Sequence, residues 1–130
     1  MDTIYRFSGT ICSDLTKLRD FLNLRLCDLR KYIPDEEVMF DLRLILDELI
    51  INGIVHGNSC DRCKNVNLTI NLKPHSILIK VEDEGDGIEY NFDEYDYKSR
   101  KSCGRGLVIV QALSDSLVFN KNKVTVLKRL

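Results

Sequence analysis

Glu48, Asn52 and His56 recur every four residues in a stretch that also holds Leu42, Ile45, Leu46, Leu49, Ile50, Ile51, Ile54 and Val55. On a helix that spacing stacks the three polar side chains into one slowly drifting stripe, while the rest of the surface is apolar enough to be largely buried. A carboxylate and an amide buried without partners cost several kcal/mol, on the order of 2–7 for the amide alone, so the stripe lines a cavity or meets a ligand unless it is the solvent face. Gly53, directly after Asn52, costs a helix about 1 kcal/mol relative to alanine, a cost that goes with close packing.

A second group follows a strand: Asp83-Glu84-Gly85-Asp86-Gly87. Its two glycines open backbone conformations closed to other residues and let a ligand approach closely. The Asp83 carboxylate accepts hydrogen bonds and donates none, so it can take the exocyclic amine of adenine and reject guanine, which presents an oxygen there. An acidic turn is the plain alternative, and the loop is too short for the 12-residue ligand spacing of a calcium-binding EF-hand. The third group, Gly104-Arg105-Gly106-Leu107, opens a helix. Free backbone N–H groups at a helix N-terminus attract phosphate, and Lys98, Arg100, Lys101 and Arg105 put four cations nearby; an ordinary basic loop has the same composition.

The elements that must position these groups follow from periodicity. Residues 4–7 form a first strand, and Ser13 caps a helix over 14–32 on which Leu15, Leu18, Phe21, Leu22, Leu26 and Leu29 recur at helical spacing. Pro34 and Asp35 separate it from a second helix over 36–56, stopped by Gly57. Apolar and polar residues alternate over 66–72, the period of a half-buried strand, and a turn at 73–76 leads into a return strand over 77–82. Residues 90–103 have no clear period and are long enough for a functional flap. A helix over 106–113 and strands over 117–120 and 123–128, turned at Lys121 and Asn122, complete an α+β sandwich with helices on one face of a mixed sheet.

Composition narrows the function. One domain accounts for 130 residues, and a formal charge of −1, from 19 basic and 20 acidic residues, gives no excess that would draw nucleic acid or an anionic membrane surface. With 44% hydrophobic and 30% charged residues, the chain has the balance of a globular protein, and no apolar run reaches a membrane-spanning length. A cytoplasmic location is the default expectation. The five cysteines are odd in number and form no framework, so they are expected as reduced thiols. Cys60 and Cys63 make a lone C-x-x-C, a zinc or redox motif without its second half.

Taken in order, Glu48-x-x-x-Asn52-x-x-x-His56-Gly57, Asp83-x-Gly85-x-Gly87 and Gly104-x-Gly106-Leu107 resemble the N, G1 and G2 boxes of the GHKL ATPase superfamily. The run from Gly106 to Asp115 looks like that of the anti-sigma factor serine kinases. The resemblance covers nearly the whole chain. It implies a Bergerat-type two-layer α/β sandwich, with a mixed, mostly antiparallel sheet covered on one face by three helices. It further implies a domain, commonly dimeric, that binds ATP and Mg²⁺, binds a sigma factor and phosphorylates a serine of a STAS-type antagonist.

By position, the resemblance makes Glu48 the general base and Asn52 the magnesium ligand. Asp83 is then the adenine-recognising carboxylate, with Gly85, Gly87 and Ile88 shaping the base pocket. Residues 88–105 correspond to the ATP lid, with Lys101, Gly104, Arg105, Gly106 and Leu107 at its phosphate-contacting end. The threonine the family carries near the end of the sheet corresponds to Thr125, with Val124 competing for the place. The chain departs from the family at Gly53, where alanine is usual, and at Ser102, where some relatives have an arginine that reaches the terminal phosphate; Lys101 or Arg105 is the cation left for that task. Two further readings stand beside the kinase: a nucleotide-gated interaction module without phosphoryl transfer, and the ATP-binding domain of a histidine kinase system.

Overall fold

The computed structural model describes residues 3–85 and 102–130, the backbone alone for 102–105. Five strands form one sheet: β1 (Tyr5–Cys12), β2 (Asn65–Lys73), β3 (Ser76–Glu82), β4 (Ser116–Asn120) and β5 (Lys123–Arg129), in the spatial order β1-β2-β3-β5-β4. All four pairings are antiparallel, so among the described residues the sheet is not the mixed one expected. Three helices, α1 (Leu18–Arg30), α2 (Glu36–Ile51) and α3 (Ser102–Leu113), make the second layer of the α+β sandwich.

Strand alternation decides which face is covered. Val66, Leu68, Ile70 and Leu72 of β2, Ile77, Ile79 and Val81 of β3, and Val124 and Val126 of β5 are buried on one face. They meet Leu22, Leu26 and Leu29 of α1, Leu42, Ile45, Leu46, Leu49 and Ile50 of α2, and Leu107 and Val110 of α3 in one core. A single helix layer can bury only one side of the sheet, and Ser8, Thr10 and Asn67 on the other side are exposed. The register pairs Val81 with Val124 and Lys80 with Thr125, which fixes the two faces independently of burial.

Helix ends differ from the sequence expectation in three places. The first helix is capped by Asp14, whose carboxylate accepts from the Thr16 N–H at 3.0 Å, and it opens with a 3-10 turn over Leu15–Lys17. Ser13 turns the other way and donates to the Lys64 carbonyl at 2.8 Å, tying the end of β1 to the start of β2. Next, α2, capped by Asp35, passes into a π-helical turn over Asn52–Gly57 in which the Asn58 N–H reaches the Gly53 carbonyl at 2.8 Å. Such turns widen a helix locally and frequently mark functional sites. Finally, α3 begins at Ser102, four residues before the expected Gly106. Packing of Leu107 and Val110 overrides the glycine penalties of its first turns.

Candidate functional site

The carboxylate of Glu48 and the backbone of Gly106 touch. A Cβ built on Gly106 would collide with Glu48 Oε2 and lie 2.8 Å from its Cδ. The side chain is half-buried, and burial raises its pKa above the ordinary 4.5, with the neighbouring Asp47 carboxylate adding to the shift. A desolvated carboxylate without a cationic partner is a stronger base at neutral pH than a solvated one.

One turn farther along, about 6 Å of helical rise, lies Asn52. It is only 9% exposed, and its Oδ1 has no hydrogen-bond partner among the described residues. Buried side-chain acceptors are rarely left unpaired, and the exceptions call for an explanation such as a missing ion. A neutral oxygen donor next to a carboxylate-bearing helix turn is the kind of group that Mg²⁺ selects, so the residues fit such an ion. His56, the third member of the sequence stripe, is exposed. The π turn breaks the four-residue stacking between Asn52 and His56 and leaves the histidine outside the cluster.

The strip of backbone after β3 supplies the other wall. Asp83 takes the Gly85 N–H at 2.8 Å on Oδ1, closing a tight turn. Its carboxylate lies directly over Gly57, where a Cβ would collide with Oδ2, and a Cβ on Gly85 would collide with the Gly57 carbonyl. Gly53 fits against Val66, with 3.2 Å from a hypothetical Cβ to both methyls. Glycine is therefore required at 57, under Asp83, while at 53 a side-chain atom would fit only tightly under β2. Burial raises the Asp83 pKa and Glu82 adds to it, while the Gly85 N–H and Lys64 oppose the rise.

Glu48, Asn52, Asp83, Gly85, Gly104 and Gly106 are thus placed along the end of α2, the turn after β3 and the first turns of α3. Gly104 and Gly106 lie inside α3, as its third and fifth residues, so among the described helix residues the N–H groups without intrahelical partners are those of 102–104. Arg105 contributes its backbone to that turn. Leu107, fully buried, packs in the core. Gly87, Ile88, Lys101 and residues 88–101 of the lid lie outside the described residues.

Thr125 is not part of the cluster. Strand alternation turns it onto the uncovered face, between Lys80 and Val118, while Val124 takes the inward place beside Val81. Cys60 and Cys63 are exposed free thiols in the turn after the π helix.

One buried residue has a role that no sequence motif marks: Asn58. It is 1% exposed, accepts the Glu84 N–H at 2.7 Å on Oδ1, and donates from Nδ2 to Ser13 Oγ and the Asn65 carbonyl at 2.9 and 3.0 Å. In sequence it sits in the polar run Gly57-Asn58-Ser59, where an asparagine signals a turn and nothing more.

Residues 12–128 match the family described as a histidine kinase-like ATPase domain. The chain is 35% identical over 100 residues to the anti-sigma F factor of Clostridium perfringens strain SM101, covering 71% of each protein. It is 33% identical over 90 residues to the anti-sigma F factor of a second strain, covering 65% of this chain and 64% of that relative. Among the described residues no helix is long and apolar enough to cross a membrane.

Proposed function

Because the chain belongs to the histidine kinase-like ATPase family, in its anti-sigma factor branch, we propose that it is a cytoplasmic, homodimeric anti-sigma factor that binds Mg-ATP and phosphorylates a serine of a STAS-type antagonist. The observation that carries this reading is the unpartnered Asn52 Oδ1 one turn beyond Glu48, whose carboxylate rests on the opening turns of α3.

In this reading Asp83 accepts the exocyclic amine of adenine. One of its oxygens already holds the Gly85 N–H, which fixes the carboxylate plane. By position in the family, Gly85, Gly87 and Ile88 would shape the base pocket, and the free N–H groups opening α3, where Gly104 and Gly106 lie, would hold phosphate oxygens together with Lys101 and Arg105. Asn52 Oδ1 would hold Mg²⁺. Bound Mg-ATP supplies the phosphoryl group and the neutralisation of charge on which such transfers depend. Glu48 orients the incoming serine hydroxyl and takes its proton as the oxygen bonds to phosphorus and ADP departs; its raised pKa suits it to that task. By position in the family, residues 88–105 would be the ATP lid.

Calorimetric titration with ATP, ADP and GTP, with and without Mg²⁺, tests the binding half; absence of adenine nucleotide binding sinks the reading. Incubation with labelled ATP and STAS-type proteins tests the chemistry. Glu48→Ala is expected to abolish label transfer while ATP affinity stays within a few-fold of wild type. Transfer retained in that variant removes Glu48 as the base. Tight ATP binding with no label on any STAS-type protein assigns the chain instead to nucleotide-gated interaction.

A further inference from the structure

Four segments meet at one buried amide. Asn58 follows the π turn; Ser13 follows β1; Asn65 begins β2; and Glu84 follows β3. The Asn58 backbone N–H closes the π turn on Gly53, and its side chain uses its oxygen and both N–H groups on the other three segments. Ser13 Oγ, accepting from Asn58, donates its own O–H to the Lys64 carbonyl, so the chain of hydrogen bonds has one consistent direction. That direction sets the amide: oxygen toward Glu84 N–H, nitrogen toward Ser13 and Asn65.

The turn carrying Asp83 is consequently held at every nearby peptide group. Gly85 N–H is bound by Asp83 itself, Glu84 N–H by Asn58, and Asp83 N–H by the Asn122 carbonyl at 3.0 Å, while Asn122 Nδ2 donates to the Asp83 carbonyl. Of these, only the Asn58 contact links the turn to the helix that also supplies the floor. Gly57, on which the Asp83 carboxylate lies, is the residue immediately before Asn58. One side chain therefore ties the floor to the turn that carries the carboxylate, and it does so beside the Glu84 carboxylate, which accepts from the Asn65 N–H.

We infer that Asn58 is the positioning residue for base selection: by clamping Glu84 N–H it fixes the Asp83 carboxylate against Gly57 in the orientation that accepts an exocyclic amine. The inference rests on the reading of Asp83 as the adenine-recognising group. Asn58 touches no nucleotide itself and acts through Asp83.

Three variants separate positioning from simple stabilisation. Asn58→Ala removes the clamp together with both donations. Asn58→Asp keeps an oxygen for Glu84 N–H but loses the donations to Ser13 and Asn65, so it too loses stability. Glu84→Pro removes the N–H from the other end and serves if Asn58→Ala does not fold; it is read against Glu84→Ala, which loses only the carboxylate that accepts from the Asn65 N–H and keeps the clamped N–H. The readout is the ratio of ATP to GTP affinity by calorimetry, at a temperature where circular dichroism shows each variant folded.

Asn58→Ala, or Glu84→Pro in its place, is expected to lose about tenfold of the ATP preference, the worth of one well-placed hydrogen bond. Asn58→Asp is expected to keep the preference despite its lower melting temperature. A folded Asn58→Ala or Glu84→Pro with wild-type preference overturns the inference, as does loss of preference in Asn58→Asp in step with its stability. Wild-type protein that binds neither nucleotide, or both equally, removes instead the reading of Asp83 on which the inference stands.

Discussion

Glu48 and Gly106 are in contact: the carboxylate lies where the first side-chain atom of any other residue at 106 would be. The pair joins α2 to α3 without a hydrogen bond, by shape alone. Alanine at a helix interior normally stabilises by about 1 kcal/mol over glycine. Here the sign reverses. Gly106→Ala is expected to destabilise by about 1–3 kcal/mol through overpacking, whereas in a Glu48→Ala background the same substitution is expected to be neutral or stabilising. Urea unfolding of the four proteins in this double-mutant cycle checks it; additive effects sink the contact.

Glu48 and Asp83 both have raised pKa values with burial as the main cause, so the folded protein prefers each of them neutral. The contribution to stability is then full below the ordinary values of 4.5 and 3.8 and is lost as pH rises through the raised folded values. Glu48→Gln and Asp83→Asn are therefore expected to be more stable than wild type at pH 7, by less than about 1 kcal/mol because both groups remain partly solvated. The advantage is expected to vanish below about pH 4, where wild-type carboxylates protonate. Denaturation curves from pH 3.5 to 8 test this, and a variant advantage that grows toward low pH contradicts it. At every pH, Asp83→Asn is expected to lose the preference for ATP over GTP.

Much of this site was legible in the sequence because period and spacing are local. The four-residue step from Glu48 to Asn52 and the alternation of β2 needed only the repeat lengths of helix and strand. What was not legible depends on contacts between distant segments. The π turn arises where Gly53 and Gly57 are pressed by Val66 and Asp83, partners at least 13 positions away. Asn58 is unmarked in the sequence for the same reason, since its three side-chain partners come from three other segments. Ser13 and Asp14 are both good cap residues, and the Lys64 carbonyl and the Asn58 amide, both distant in sequence, decide between them. Thr125 is a different case: Val-Thr-Val already placed it opposite the core, and alternation was outweighed by a positional resemblance.

Lys128 joins three elements at the far end of the core. Its ammonium donates to the Leu113 carbonyl at 2.7 Å, ending α3, and lies 3.8 Å from Asp41 of α2, with only 13% of the side chain exposed. A cation satisfying the last carbonyls of a helix is favoured by the helix dipole as well as by the hydrogen bond. Lys128→Met keeps the apolar stem and removes the charge. It is expected to cost about 1.5–3 kcal/mol of unfolding free energy and to leave nucleotide affinity of the folded protein unchanged. Equal stability by chemical denaturation refutes the role assigned to this contact.

Asn52 gives the sharpest separation between structure and function, because its Oδ1 is buried and has no partner among the described residues. An unsatisfied buried acceptor carries a desolvation cost of about 1–3 kcal/mol. Removing it recovers some of that cost while losing packing, so Asn52→Ala is expected to change stability by no more than about 1 kcal/mol either way. Its effect on ligand binding is expected to be large and confined to the metal-dependent part. ATP affinity measured with Mg²⁺ should fall at least tenfold, toward the value measured in EDTA, and that EDTA value should match wild type. Asn52→Asp retains an oxygen for the ion and adds charge, so it should preserve Mg²⁺ dependence where alanine abolishes it. Were Asn52→Ala to strongly destabilise the apoprotein with no change in Mg²⁺ dependence, the amide would be a core group and the cation would have to be held elsewhere.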